Sequence, residues 1–196
     1  MTAAEIKAQW RQKMRQRLRT VAAAERLAAS SAVVQVVLAH RGWQEATGVL
    51  LYAALPDELD LDDLLKAALA QGKRVGCPAY EPDTNRYVIR EVEDPSEGWV
   101  VGRYGIREPA ASAPEISLKL LDLAMVPGLG FNKDGVRLGR GAGYYDRLLA
   151  DFAGWKWGVG YTWQVDLDFP GEPQDVAMQV VVTPTGLRMC KVAGIT

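Results

Sequence analysis

The chain has 196 residues, 48% of them apolar and 24% charged, and its 23 Lys and Arg nearly balance 24 Asp and Glu. Length and composition predict one globular domain over residues 1–196 and exclude a disordered or fibrous chain. The balance of charge argues against a nucleic-acid binder, and no apolar run approaches the ~18 residues that a membrane span needs. Cys77 and Cys190 are the two cysteines, with no CxxC between them, which points to a reducing compartment such as the cytoplasm. His40 is the lone histidine, so neither a His-based acid–base scheme nor a His-rich zinc site fits.

Ile6, Trp10, Met14 and Leu18 recur every four residues and predict an amphipathic helix over 4–19, with Lys7, Arg11 and Arg15 in a cationic row. A second helix is expected over 22–40, with Leu27, Val34, Val37 and Leu38 inward and Gly42 ending it. Residues 48–54 form a short apolar run between Gly and Pro, as a buried strand would. Asp60 is placed to cap a helix over 61–71, which would turn Leu61, Leu64, Leu65 and Ala68 to the core and close at Gly72. Strands are expected over 73–78 and 86–92, a surface loop over 94–117, and a strand over 121–127. A glycine-dense segment over 128–143 then leads into a helix reaching Phe152, followed by strands over 156–161 and 178–183. Strands alternating with helices predict an open, mostly parallel α/β sheet, with ligands beyond the carboxyl ends of its strands.

The segment from Met125 to Arg147 carries the most chemistry. Gly139, Gly141 and Gly143 alternate just before a helix, where backbone N–H groups can approach an anion. Arg137 and Arg140 add two cations of the kind that forks around phosphate oxygens. Asp146, in the first helical turn, can hold a magnesium ion that bridges phosphates. The pattern is neither a Walker loop nor the dinucleotide fingerprint. A tight turn with two solvated arginines is the plainer alternative.

Pro127-Gly-Leu-Gly-Phe131 followed by Arg137-Leu-Gly-Arg-Gly-Ala-Gly-Tyr-Tyr-Asp146 resembles the signature of the 5-formyltetrahydrofolate cyclo-ligase family. The likeness extends to the Lys7-x-x-x-Arg11 helix, the turn at Arg26, Asp57-Glu58 and Asp175, all in the family's order. It also reads the Arg-rich first helix as part of the site rather than a transit peptide.

This resemblance implies a three-layer α/β/α fold with a mostly parallel open sheet, similar to sugar-phosphate isomerases and CoA transferases. It implies a monomer whose partners are ATP and 5-formyltetrahydrofolate, with Mg2+ as cofactor. The formyl oxygen would be phosphorylated, N10 would close the ring, and phosphate would leave. Arg140 and Lys7 would be catalytic. The ATP site would comprise Lys7, Arg11, Arg137, Leu138, Gly139, Arg140, Gly141, Ala142, Gly143, Tyr144 and Tyr145. Arg11, Glu58, Tyr104 and Tyr145 would bind folate, and Asp146 and Asp175 the metal. Arg140, between two glycines, is expected to add little to folding. Two positions depart from the family pattern: Gln179, where many members carry a second acid, and Ala142, where some carry Lys. A non-enzymatic folate-binding protein of this fold and an ATP-independent isomerase are the rival expectations.

Overall fold

A computed structural model describes residues 1–102 and 105–191. The helices are α1 (Ala3–Arg19), α2 (Ala23–Leu38), α3 (Arg41–Glu45), α4 (Asp62–Ala70) and α5 (Tyr144–Leu148). The strands are β1 (Gly48–Leu50), β2 (Arg74–Glu81), β3 (Arg86–Glu91), β4 (Trp99–Val101), β5 (Arg107–Pro109), β6 (Leu123–Pro127), β7 (Gly130–Phe131), β8 (Arg137–Leu138), β9 (Trp155–Val159), β10 (Val180–Thr183) and β11 (Gly186–Met189).

Seven strands build the central sheet in the order β11-β10-β9-β6-β1-β2-β3. The inner five run parallel, and β11 and β3 close the two edges antiparallel. Side chains alternate between the faces, as strand geometry requires. Val49, Leu123, Met125, Val180 and Val182 enter one core with α2 and α4, whereas Leu50, Ala124, Val126 and Val181 enter a second with Leu149 and Phe152. Burial on both faces explains why these strands read as continuous apolar runs. The chain leaves β1 toward β2 on one side and returns with β6 on the other. The carboxyl ends of β1 and β6 therefore border the crevice where open α/β sheets place ligands.

The helices follow the sequence pattern with informative exceptions. Thr2 and Glu5 make a capping box on α1. The Asp60 carboxylate accepts from the Asp62 N–H at 2.7 Å, and Gly72 closes α4 at a φ of +70°. Leu27, expected inward, is 73% exposed on α2. Gly42 does not end α2 but sits inside α3, which His40 caps through Nδ1. The expected loop over 94–117 contains the antiparallel hairpin β4–β5. The helix expected to reach Phe152 is only the five residues of α5. No single helix among the described residues is long and apolar enough to cross a membrane.

Candidate active site

The glycine-dense segment begins as a hairpin. β7 pairs with β8, and the Asn132 side chain accepts from the Asp134 and Val136 N–H groups inside the turn. Gly141 and Gly143 follow with φ of +114° and +61°, conformations that a side chain would strain. The loop over 139–143 thus runs as thin backbone between two cavities. α5 is too short to supply much helix dipole, so side-chain cations must bear most of the anion affinity expected here.

One cavity, of about 640 Å3, is lined by charge: Lys7, Arg11, Arg137, Asp146, Arg147, Glu172 and Asp175. The Lys7 ammonium is buried and lies 2.7 Å from Glu172 and 2.5 Å from Asp175. Arg137 donates to Asp146 at 3.0 Å and lies over the Tyr145 ring. Arg11 donates to the Gly139 carbonyl and Arg15 to that of Arg140, which ties the loop to α1. Each carboxylate expected to hold metal is therefore matched to a cation. Among the described residues, no group of three or more His, Cys, Asp or Glu could hold a metal by itself.

The other cavity, of about 680 Å3, lies across the loop and shares Arg137, Gly139, Gly143 and Arg147 with the first. Tyr52, Tyr87, Tyr144 and Tyr145 line it, with Glu58 at one end. Tyr87 and Tyr144 are in contact, their ring centroids 3.9 Å apart. Burial, aided by the nearby Glu58 charge, pushes the Tyr145 hydroxyl far above its ordinary range, so it stays protonated. Burial also raises the Glu58 carboxyl, while the Arg140 guanidinium works against that shift. Arg140 Nη2 lies 2.6 Å from Asp57 and 3.2 Å from Glu58. Arg140 is thus bound into the fold by two carboxylates, contrary to the expectation that it adds little there.

The structure distributes the expected residues unevenly. Lys7, Arg11, Arg137, Gly139, Gly141, Gly143, Asp146 and Asp175 meet around the charged cavity. Ala142, Tyr144 and Tyr145, assigned to ATP from the resemblance, line the aromatic side, and Arg140 lines only that side. Arg11, assigned to both ligands, lines only the charged cavity. Leu138 is buried in the core and lines neither cavity. Tyr104 falls outside the described residues. Gln179 accepts from the Lys156 N–H at the end of the sheet, so its departure from the family pattern does not alter either wall.

Three residues escaped the sequence. Glu172, three positions before Asp175, is the second partner of Lys7. Arg147, one turn into α5, reaches both cavities. Tyr52 was hidden in the apolar run around β1. Only Glu172 had a local signal, its closeness to Asp175.

Comparison with known proteins agrees with this architecture. The model of the 5-formyltetrahydrofolate cyclo-ligase family matches residues 3–184. The mouse 5-formyltetrahydrofolate cyclo-ligase is 36% identical over 149 residues, 71% of each chain. The enzyme of Escherichia coli K12 is 31% identical, over 76% of this chain and 81% of its own. The solution structure of Aquifex aeolicus 5,10-methenyltetrahydrofolate synthetase superposes with a TM-score of 0.84 at 30% identity, over 97% of this chain and 95% of its own. A signature loop beyond the carboxyl end of the central strand β6, a matched family model and a superposable relative lead to one assignment: the chain belongs to the 5-formyltetrahydrofolate cyclo-ligase family, a family of ligases.

Proposed function

We propose that this protein closes 5-formyltetrahydrofolate to 5,10-methenyltetrahydrofolate at the expense of ATP, with Mg2+, as a cytoplasmic monomer. The observation that carries this reading is the shared wall. Two cavities of similar size, one charged and one rich in tyrosine, share Arg137, Gly139, Gly143 and Arg147, so ligands on the two sides would meet at this wall. The triphosphate occupies the charged side and the pterin the aromatic side.

An amide oxygen is a poor leaving group, and phosphorylation makes it a good one. The protein's work is to position the reactants and neutralise charge. Lys7, Arg11 and Arg137 face the triphosphate. Arg140, held by Asp57 and Glu58 on the aromatic side of the loop, would meet the transferring group at the formyl oxygen. Glu58 accepts the pterin's N–H donors, and the tyrosines stack on its ring and exclude water.

The residues present fit a magnesium ion. Asp146 and Asp175 are hard oxygen donors on the charged wall. Asp146 and Asp175 would hold it as an ion of this kind is usually held, by one or two carboxylates with water and phosphate oxygens supplying the rest. When bound it would supply positive charge against the phosphate oxygens. Loading the site would draw Asp146 from Arg137 and Asp175 from Lys7, leaving both cations to the nucleotide. Mixing protein, MgATP and 5-formyltetrahydrofolate and following methenyltetrahydrofolate absorbance tests the reading. Absence of product, or undiminished turnover in EDTA, counts against it.

A further inference from the structure

Glu108 is a buried carboxylate with no role in the scheme above. It stands on β5, only 6% exposed, in the wall of the aromatic cavity. Its Oε2 accepts from the Tyr80 N–H at 2.9 Å, on the stretch of β2 beyond the last residue paired with β1. Gly102 makes room for it, since a Cβ at that position would collide with the Glu108 carboxyl. The seat is built for this side chain.

No cation shares that seat among the described residues. The neighbouring Arg107 turns to Asp62, Arg137 to Asp146, and Arg140 to Asp57 and Glu58. Arg147 donates to the Ala142 carbonyl. One backbone N–H needs only a neutral acceptor, and an amide would serve it. Arg103, which follows Gly102, lies outside the described residues; among those described, Glu108 is a buried carboxylate with no counter-charge, a costly placement that calls for a partner.

The proposed reaction makes that partner. The formyl group enters neutral, and its oxygen takes the γ-phosphoryl group of ATP as the bond from that phosphorus to ADP breaks and ADP leaves. The N10 lone pair then forms a bond to the formyl carbon, and the N10 proton passes to water. The carbon–oxygen bond breaks, and phosphate departs with the electron pair. The N5–CH–N10 bridge is left with one positive charge. We propose that Glu108 is the counter-charge for this cationic bridge, and thus a catalytic residue that favours the closing ring over the neutral substrate. The inference rests on the cyclo-ligase reading. Glu58 is less suited to the task, because Arg140 already engages it. Charge that develops during reaction, met by a fixed opposite charge in a dry site, is the arrangement that lowers a barrier rather than merely tightening binding.

Glu108→Gln keeps the volume and the acceptor for Tyr80 while removing the charge. Calorimetric titration without ATP, in mildly acidic buffer, compares 5-formyltetrahydrofolate, whose formyl amide is uncharged, with 5,10-methenyltetrahydrofolate, whose N5–CH–N10 bridge is cationic; the glutamyl tail is the same in both. The variant should lose about tenfold or more in affinity for the compound with the cationic bridge and little for the formyl compound. Its kcat should fall while KM holds. Glu108→Asp should retain part of the preference, and Glu108→Ala should lose it, which covers the case of a poorly folded Gln variant. Equal weakening of both ligands, or a lower melting temperature with an unchanged preference, overturns the inference and leaves Glu108 a brace for the hairpin. Wild-type protein that binds neither folate would instead overturn the cyclo-ligase reading itself.

Discussion

The two cavities flanking the loop over 139–143 have nearly equal volumes, about 640 and 680 Å3, and opposite chemistry. On the charged side, Lys7 and Arg137 are engaged by Glu172, Asp175 and Asp146. Those two cations are neutralised from within, whereas Arg11 and Arg147 donate to backbone carbonyls, so a polyanion entering here would have to exchange partners at Lys7 and Arg137. On the aromatic side, Tyr52, Tyr87, Tyr144 and Tyr145 stand among apolar groups, and charged side chains such as Glu58, Glu108 and Arg140 are set between them. That wall is shaped before its ligand arrives. The difference teaches that one loop can serve a ligand held by ion exchange and another held by stacking, with Arg140 as the hinge of charge between them.

The sharpest way to break this comparison is at Arg140. Arg140→Ala should cut turnover about a thousandfold, the scale of arginines that meet a transferring phosphoryl group. It should also lower the stability of the free protein by about 1–2 kcal/mol, because Glu58 loses its cation while the partly exposed guanidinium is screened by solvent. In a Glu58→Gln background the same change should cost less stability, a non-additivity that a double-mutant cycle by calorimetry will read. Near-normal turnover would remove Arg140 from the boundary.

Arg137→Ala probes the wall that the two cavities share, through its pairing with Asp146 on the charged side. The guanidinium is almost fully buried against Asp146 and Tyr145. Removing it should destabilise the fold by about 3 kcal/mol or more, seen as a lower urea midpoint. A variant as stable as wild type would mean that Asp146 is already well solvated.

Glu58→Gln probes the aromatic side. Folate affinity should fall roughly ten- to a hundredfold, the worth of one charged hydrogen-bond partner. Nucleotide affinity should change less. An equal loss of both would show that Glu58 acts through Arg140 and not on the pterin.

The smallest effect is one of pH. Burial raises the Glu58 carboxyl above its ordinary range, so the folded protein holds this proton more tightly than the unfolded chain. Folding then takes up a proton between the two values, and this group's contribution to stability falls as pH rises through that window. Stability curves of wild type and Glu58→Gln, measured from mildly acid to neutral pH, should diverge there. Parallel curves would mean that Arg140 fully offsets the burial.

The sheet was legible because its strands are buried on both faces and flanked by glycine and proline, so even short runs stand out. The signature loop was legible as a linear pattern, whereas Lys7 and Asp175 came only through the family resemblance that the loop opened. Their pairing with each other was not legible, since no local spacing joins residues on opposite sides of the fold. The same holds for Arg140 and Glu58, which the sequence treated as ligands of separate substrates. β4 and β5 were missed because each is only three residues long inside a segment, 94–117, rich in Pro, Gly, Ser and Glu, a composition shared with loops. The left-handed glycines that cut short the approach to α5 lie too close to the motif for periodicity to separate helix from turn.

The first helix has a consequence for biosynthesis. Lys7 meets Glu172 and Asp175 across 165 and 168 residues, and Trp10 reaches the Asp168 carbonyl across 158. At roughly 5–20 residues per second of translation, the earliest part of the site waits on the order of ten seconds or more for its partners to leave the ribosome. Until then α1 carries a row of uncompensated cations and an apolar stripe with nothing to cover it. Long-range closure of this kind is slow and exposes the nascent chain to aggregation and to chaperones. The active site is therefore among the last features the growing polypeptide can complete.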